Sequence, residues 1–388
     1  MALVDLWRDA RGQLEDKGFQ QIIAFAGDGK LRDGGAATDE LRSFLSLVPT
    51  DYLRRYAAEC LAKSFPDSGL ALQEVVNQIG RRLGFSVVDG RYRGAKGSIG
   101  FDGLWKVRDH AIVVEVKTTD AYRLDLSTIA EYRRKLANDG AIVIDHSSIL
   151  IVVGREDTGD LEAQIRGSKY AWDVRLISVS ALEHLMRLKE DLEDPAIIRR
   201  IHDILVPREF TKLDEIVDLV FSATEDIRET EMREDHGEPT GQQFAPASFH
   251  AACINRIAAA LGTDLVKRSR ALFGTADQDV AVLCAVSREY SGSHHEGYWF
   301  AFHPHQKEFL ESSRSGHVAF GCGSPDQLLL FPYVEFAKWL EDFNRTELEE
   351  RVYWHVRIKK KAGRLWLLLR AGRDNLDVTE YLLGKTAG

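Results

Sequence analysis

Residues 100–117 read GFDGLWKVRDHAIVVEVK, two short apolar runs separated by a polar turn. Runs of this length on either side of a tight turn predict a β-hairpin. The second run is apolar except for Glu115 and Lys117, which stand two residues apart. Because side chains alternate along a strand, these two charged groups are expected on one face, with Val114 and Val116 on the other.

Three charged side chains of this hairpin are the candidates for chemistry. Asp102 lies on the first strand, so antiparallel pairing is expected to bring it close to Glu115. Two carboxylates supply the hard oxygen ligands that Mg²⁺ prefers, and the Val116 carbonyl is a further candidate ligand. A bound divalent ion activates water and stabilises charge on a phosphate. Lys117 is expected beside the attacking water, where its charge also offsets the repulsion between the carboxylates.

The segments around the hairpin predict a mixed sheet flanked by helices. Upstream, helical spacing covers about 71–83 and a strand follows at 85–88. Downstream come a helix from Thr128, where Thr128–Glu131 reads as a capping box, a buried strand at 148–153, a helix at 161–171, a strand at 174–179 and helical segments to about 224. This alternation is typical of an α/β core with helices on both faces of the sheet.

The arrangement resembles the PD-(D/E)xK nuclease superfamily, which has the restriction-endonuclease-like fold. The family motif is an Asp followed by (Asp/Glu)-x-Lys on the next strand, and here Phe101 replaces the usual proline before Asp102. The order of elements matches over about residues 70–185, most closely in the pattern of the Holliday-junction-resolvase and Mrr-type branch. The resemblance implies a Mg²⁺-dependent endonuclease, with Mn²⁺ as a substitute, in which Asp102, Glu115 and Lys117 are catalytic. A salt-bridged strand pair in a degenerate nuclease fold is the alternative.

The resemblance also implies two supporting residues. An acid on the helix before the core joins the metal site in the matching branch, and Glu74 stands at that place. On a helical wheel Glu74 shares a polar face with Gln78 and Arg81, so a plain solvated face is the alternative. RecB-like members carry a Gln-x-x-x-Tyr helix after the buried strand. Gln164 is the matching glutamine, although its spacing to Tyr170 is two residues longer.

Basic side chains near the hairpin are candidates for contacts with a nucleic-acid backbone. Arg91, Arg93 and Lys96 precede Asp102, in the loop that DNA would have to approach. Arg133 lies in a basic run on the helix after the Glu-x-Lys strand, where it could contact phosphates. A solvated basic face is the more common explanation for such a run.

Composition divides the chain into four segments. Residues 1–69 predict a helical region, 70–224 the nuclease core with trailing helices, 225–243 an acidic linker and 244–388 a β-rich domain. The linker rests on seven acidic residues and two arginines between 225 and 238, with few apolar residues to bury. The last domain is expected to be barrel-like and to recognise DNA, with ligand sensing as the alternative.

One strand of the last domain alternates between apolar and polar residues. Val356 and Ile358 are expected to face the core, whereas Tyr353, His355 and Arg357 fall on the opposite face. An aromatic ring, a histidine and a cation on one face can stack on a base or hold a phosphate. An ordinary exposed strand face is the alternative. The local histidines at 294, 295, 303 and 305 have no acid–cysteine partner set, so no zinc site is expected there.

The charge is unevenly distributed along the chain. The whole chain has 51 Lys and Arg against 60 Asp and Glu, whereas residues 241–388 have 18 against 17. This balance excludes a sequence-blind basic coat for nucleic acid. Four widely separated cysteines, with no signal peptide or transmembrane run, predict a protein of the reducing cytoplasm that has no membrane partner.

The biological expectation is restriction or anti-phage defence, because a nuclease is joined to a recognition domain in one chain. Cutting both DNA strands needs two sites, so a homodimer or larger homo-oligomer is expected, and a partner protein of a defence system is conceivable. Three alternatives stay open. They are an effector nuclease switched on by a ligand or partner protein, a catalytically dead DNA-binding protein of the same fold, and a repair-type junction resolvase.

Overall fold

A computed structural model describes most of the chain, which folds as two compact units, Met1–Ala223 (unit 1) and Thr224–Gly388 (unit 2). The described residues are 3–62, 65–92, 100–118, 123–154, 158–192, 195–206, 246–291, 296–348 and 351–384. The predicted linker at 225–243 lies outside them. Each unit has its own buried core and is described by itself.

Unit 1 begins with four helices that lead to a long fifth helix. They are α1 (Leu3–Asp9), α2 (Phe19–Phe25), α3 (Ala36–Leu47), α4 (Thr50–Ala62) and α5 (Ser68–Leu83), with a 3₁₀ turn at Arg11–Gln13. Helices α3 and α4 both contact α5. Nearly every side chain of α5 from Ala71 onward is buried, including polar Gln73 and Asn77. The predicted helical region at 1–69 is therefore packed on the same core as the sheet that follows.

A five-stranded mixed sheet forms the centre of unit 1. Its strands are β1 (Ser86–Asp89), β2 (Gly103–Val107), β3 (His110–Lys117), β4 (Ser147–Val153) and β5 (Val174–Ser178). They lie in the order β1-β2-β3-β4-β5, the first three antiparallel and β4 and β5 parallel to β3. Every residue of β4 is buried, as expected for a strand covered on both faces. The mixed α/β prediction is confirmed.

Helices after the hairpin cover the sheet. They are α6 (Leu126–Asn138), α7 (Gly159–Arg166), α8 (Val179–Asp191) and α9 (Pro195–Leu205), with a 3₁₀ turn at Ile144–His146. The capping box predicted at Thr128–Glu131 is wrong, because α6 begins at Leu126, two residues before Thr128, and its N-cap is Asp125. The Asp125 side chain accepts a hydrogen bond from the Thr128 N–H at 3.0 Å.

Trp105 fixes the hairpin against α5. Its ring is fully buried, and its indole N–H donates to the Asn77 side-chain oxygen at 3.0 Å. Gly80 makes the close approach possible, because a Cβ at this position would lie 2.5 Å from the Trp105 ring. The hairpin and α5 therefore meet in a fixed register. This register places the Asp102 main chain against α5, beside Gln73 and Asn77.

Unit 2 is β-rich, as predicted. Its helices are α10 (Pro246–Leu261), α11 (Pro304–Glu311) and α12 (Tyr333–Phe336), with 3₁₀ turns at Ala337–Asp342 and Thr379–Tyr381. Its first sheet has the order β12 (Leu328–Pro332), β11 (Ser315–Cys322), β8 (Val280–Ser287), β7 (Leu272–Gly274) and β6 (Val266–Lys267). The second has the order β16 (Leu376–Asp377), β15 (Arg364–Leu368), β14 (Arg351–Lys361), β10 (Glu296–Phe302) and β9 (Tyr290–Ser291), and β13 (Asn344–Leu348) also pairs with β14.

The barrel-like expectation for unit 2 is wrong, since neither sheet closes among its described strands. Apolar side chains of both sheets meet in one cluster, with Phe300 and Val356 from one and Phe320 and Phe331 from the other. Each sheet thus buries one face against the other, and the core lies between two open sheets rather than inside one closed sheet.

Two further observations concern membrane-spanning helices and the cysteines. Among the residues described here, no helix is long and apolar enough to cross a membrane. All four cysteines (Cys60, Cys253, Cys284 and Cys322) are buried free thiols. The absence of a disulfide framework, read from their spacing, agrees with this.

Candidate active site

The hairpin brings Asp102 to the carboxyl end of β3, as its sequence predicts. Gly103 is paired with Val114, and the Asp102 N–H donates to the Val114 carbonyl at 3.1 Å. The Asp102 carboxylate accepts a hydrogen bond from the Val116 N–H at 2.7 Å. Asp102 is therefore held against the main chain between the two residues of the Glu-x-Lys motif.

Glu115 and Lys117 form an ion pair on one face of β3. The Lys117 Nζ lies 2.6 Å from the Glu115 Oε1, with side-chain exposures of 35% and 12%. Residues Ala111–Val114 are buried, and burial becomes partial from Glu115 onward. Glu115 and Lys117 thus lie at the carboxyl end of β3, where side chains are partly exposed and a ligand can reach them.

Electrostatics at this edge favours a bound cation. Burial, followed by the neighbouring Glu115 charge, raises the pKa of the Asp102 carboxyl to about 7, although the Val116 N–H and Lys117 act in the opposite direction. Burial lowers the pKa of Lys117, but the charges of Glu115 and Asp102 outweigh it and hold the pKa above its ordinary value. Two carboxylates balanced by one lysine fit the donor set of a hard divalent ion. Val116 meets Asp102 through its N–H, and the role of its carbonyl stays a prediction.

Glu74 does not join these carboxylates. Its side chain is fully buried, and its oxygens accept from Arg42 of α3, at 2.6 Å from Nε and 2.8 Å from Nη2. The Tyr92 hydroxyl also donates to Glu74, at 2.7 Å. In the described part of the chain no group of three or more His, Cys, Asp or Glu side chains could hold a metal. Both sequence interpretations, metal ligand and solvated face, are corrected, because α3 covers this face of α5.

Two amides of α5 hold the main chain of Asp102, and sequence reasoning missed both. The Asp102 carbonyl accepts from Gln73 at 3.0 Å, from Asn77 at 2.8 Å and from the Gly90 N–H at 3.1 Å. A Cβ at Gly90 would lie 1.8 Å from a backbone oxygen, and one at Gly103 would lie 2.2 Å from Asn77. The available signal was the spacing of Gln73 and Asn77, which are four residues apart and therefore share one face of α5.

Replacing Asn77 with leucine is expected to lower the free energy of unfolding by about 1–3 kcal/mol, since the Trp105 indole N–H is left buried without an acceptor. Urea denaturation measures the loss. Gln73→Met is the matched control, because it removes one donor from a carbonyl that keeps two others. Equal losses in the two variants would show that the Asn77–Trp105 hydrogen bond has no special importance.

The side chain of Gln164 holds the main chain at Leu124, whereas the resemblance implies a place beside the catalytic residues. Its side-chain oxygen accepts from the Leu124 N–H at 3.0 Å, and its amide nitrogen donates to the Leu124 carbonyl at 2.5 Å. These bonds fix the chain where it enters α6. The structure therefore does not bring Gln164 against Asp102 and Glu115.

Arg133 is a structural residue of unit 1. Its guanidinium donates to the Ser147 hydroxyl at 2.8 Å and the Ser147 carbonyl at 2.6 Å, and pairs with Asp173 at 3.0 Å. It is buried, so the expected phosphate contact is corrected. The polar run on α6 concealed this role, because the Ser147 partner comes from β4.

The loop before Asp102 is only partly described. Arg91 is exposed, and its N–H donates to the Phe101 carbonyl at 3.2 Å, which continues the pairing beyond β1. Arg93 and Lys96 lie outside the described residues. Arg91 thus stays a candidate for a backbone contact beside the hairpin.

The unit 2 candidates share one face of β14, as the alternation predicts. Tyr353 and His355 have partly exposed rings 4.9 Å apart, and Arg357 stands opposite Trp299 of β10. The Trp299 indole N–H donates to His355 Nδ1 at 3.1 Å. Among the histidines excluded as zinc ligands, 294 and 295 fall outside the described residues.

Comparisons with known proteins give no family for this chain. No protein-family model matches it, and no curated protein is significantly similar. Its function has to be argued from the geometry around Asp102, Glu115 and Lys117.

Proposed function

We propose that this protein is a Mg²⁺-dependent DNA endonuclease of the PD-(D/E)xK type. The observation that carries the proposal is the 2.7 Å hydrogen bond that holds the Asp102 carboxylate on the Val116 N–H. It brings an aspartate to a Glu-x-Lys pair at the carboxyl end of the central strand β3, where burial becomes partial. An aspartate beside a Glu-x-Lys pair is the combination that the motif requires.

The order of elements around the site supports the same proposal. A helix (α5) precedes three antiparallel strands, and a helix (α6) and a buried parallel strand (β4) follow. This is the succession expected from the resemblance to the restriction-endonuclease-like fold. The aspartate stands at the start of the second strand and the Glu-x-Lys pair at the end of the third.

Each residue of the site has a separate task in hydrolysis. Asp102 and Glu115 would hold the divalent ion, which when bound activates water and neutralises phosphate charge. Lys117 brings a permanent positive charge to within 2.6 Å of Glu115, and that charge stabilises the oxygens of the phosphate under attack. Gln73 and Asn77 keep Asp102 in place from behind, so its carboxylate does not need to reorganise during the reaction.

The proposal extends to biology and assembly. We place the activity in restriction or anti-phage defence in the cytoplasm, with unit 2 supplying DNA recognition. A homodimer or larger homo-oligomer would supply the two sites needed for double-strand cleavage.

The test is cleavage of plasmid DNA with Mg²⁺, with Mn²⁺ and with EDTA, using modified and unmodified plasmids. Wild type is expected to cut in either metal and not in EDTA. Asp102→Asn keeps the size of the side chain but removes its charge, and it is expected to abolish cutting while the melting temperature stays near that of wild type. A wild-type protein that cuts no DNA in either metal, or an Asp102→Asn variant that cuts equally well, contradicts the proposal.

A further inference from the structure

The outer face of the second sheet of unit 2 carries a cluster of partly exposed rings. Trp299 and Tyr353 lie 6.3 Å apart at 86°, and His303 lies 5.6 Å from Tyr353. His305 is stacked on His303 at 5.4 Å. The residues between them along the strands point the other way and are buried in the core, as Phe300 and Phe302 show. These rings are thus additional to the core that stabilises the unit.

His355 holds the largest ring of the cluster, Trp299, by a hydrogen bond of 3.1 Å. An indole N–H can only donate, so His355 Nδ1 must accept the bond from Trp299 and the ring proton is on Nε2. That nitrogen lies 2.7 Å from the Thr346 hydroxyl of β13, to which it donates. His355 is therefore a positioning residue for Trp299. The sequence groups it with Tyr353 and Arg357 as a nucleic-acid contact, and in the structure both of its ring nitrogens are hydrogen-bonded within the protein.

Positive charge follows the rings along the same strand. Arg357 stands directly opposite Trp299 across β10 and β14, and Lys359 follows two residues on along β14, on the same face. Lys360 and Lys361 are exposed at the end of β14. Asp377 on β16, two strands from β14, is paired with Arg364 at 2.8 Å. Aromatic rings beside a row of cations are the combination that binds single strands, because the rings stack on bases and the cations contact the phosphate backbone.

We propose that this face binds single-stranded DNA, with an unpaired base stacked on Trp299 or on Tyr353 and the other ring, at 86°, against the edge of that base. A base inside a duplex has both of its faces covered by neighbouring pairs, whereas an unpaired base offers a free face. Arg357, Lys359 and Lys361, which alternate onto the same face of β14, then contact the adjacent phosphates. The inference deepens the proposed DNA endonuclease function, because it names the form of DNA that unit 2 recognises.

Binding can be measured without cleavage, which separates this proposal from the first. The full-length Asp102→Asn variant in EDTA is titrated into a fluorescent dT oligonucleotide, and anisotropy gives the Kd. A single strand is expected to bind more tightly than a duplex of equal length. Trp299→Leu and Tyr353→Leu are each expected to weaken single-strand binding by about 5- to 100-fold. Trp172→Leu is the control, because Trp172 is an exposed tryptophan of unit 1.

An abasic oligonucleotide identifies stacking as the cause. It keeps the phosphates but has no bases, so it should bind more weakly than dT, and Trp299→Leu should remove most of that difference. Tyr353→Phe keeps the ring and is expected to bind like the parent, which guards against a folding artefact. Tighter binding of duplex than of single strand, or an unchanged Kd in both leucine variants, would overturn the proposal. The leucine substitutions can also be made in a chain that keeps Asp102. If they abolish single-strand binding but leave Mg²⁺-dependent cleavage intact, the nuclease proposal still stands.

Discussion

Replacing Lys117 with methionine is expected to lower Mg²⁺-dependent DNA cleavage by about 10²–10³-fold, the usual cost of removing one group that stabilises transition-state charge. Methionine keeps the length and apolar stem of lysine but has no charge. The variant should stay folded, since the Lys117 side chain is 35% exposed. Initial rates of plasmid nicking at saturating Mg²⁺ measure the effect.

Lys135→Met is the matched control for this experiment. Lys135 also pairs with a glutamate, Glu131 at 3.1 Å, but both side chains are about half exposed on α6. Its loss is expected to leave the cleavage rate unchanged. Calorimetric titration with Mn²⁺ separates metal binding, assigned to Asp102, from stabilisation of phosphate charge, assigned to Lys117. The Lys117→Met variant should still bind the ion, whereas Asp102→Asn should bind it weakly. Equal cleavage rates in Lys117→Met and wild type would exclude a catalytic role for Lys117.

Arg42→Ala is expected to lower the free energy of unfolding by about 3–5 kcal/mol, because it leaves the buried Glu74 carboxylate without its charged partner. Glu74 is 0% exposed in this pair and Arg42 is 25% exposed. Urea denaturation monitored by circular dichroism measures the loss. Arg166→Ala is the control, since Arg166 and Glu162 form an exposed pair at 3.7 Å. Such a pair is worth about 0–1 kcal/mol.

A double variant tests whether the Glu74 charge causes the loss. Glu74→Gln removes the charge but keeps an oxygen for the Tyr92 hydroxyl. In the Arg42→Ala background it should therefore restore part of the lost stability, which is a non-additive result. Additive losses would show that Arg42 acts through packing alone. Glu74→Gln by itself should leave the affinity for Mn²⁺ unchanged. If Glu74 were a metal ligand, the same substitution would weaken Mn²⁺ binding.

The site was predictable where it depends on neighbours in the chain. The alternation along β3 and the short turn before it were sufficient to place Asp102 beside Glu115. The strand predicted at 148–153 differs from β4 (Ser147–Val153) by one residue. Local periodicity fixes such elements, because each needs only its own residues to define the buried face.

Features that depend on distant residues were not predictable. Glu74 looked solvated because its partner Arg42 comes from another helix, and Arg133 looked solvated because Ser147 lies on another strand. The open sheets of unit 2 depend on which strands pair, which periodicity does not encode. Several missed strands, such as Val266–Lys267, have only two residues. Helix α11 was missed although Pro304 stands at its first turn, where proline is favoured.

The glycines that permit close packing around the candidate site have a consequence for finding relatives. An Asp followed by Glu-x-Lys is a weak pattern, and many unrelated chains contain it by chance. Gly80, Gly90 and Gly103 each stand where a Cβ would collide with a neighbouring atom. A search that requires small residues at these three positions, at fixed distances from the charged motif, would discriminate far better than the motif alone. Homologues with altered ligands, including inactive ones, would still be recognised by this glycine spacing.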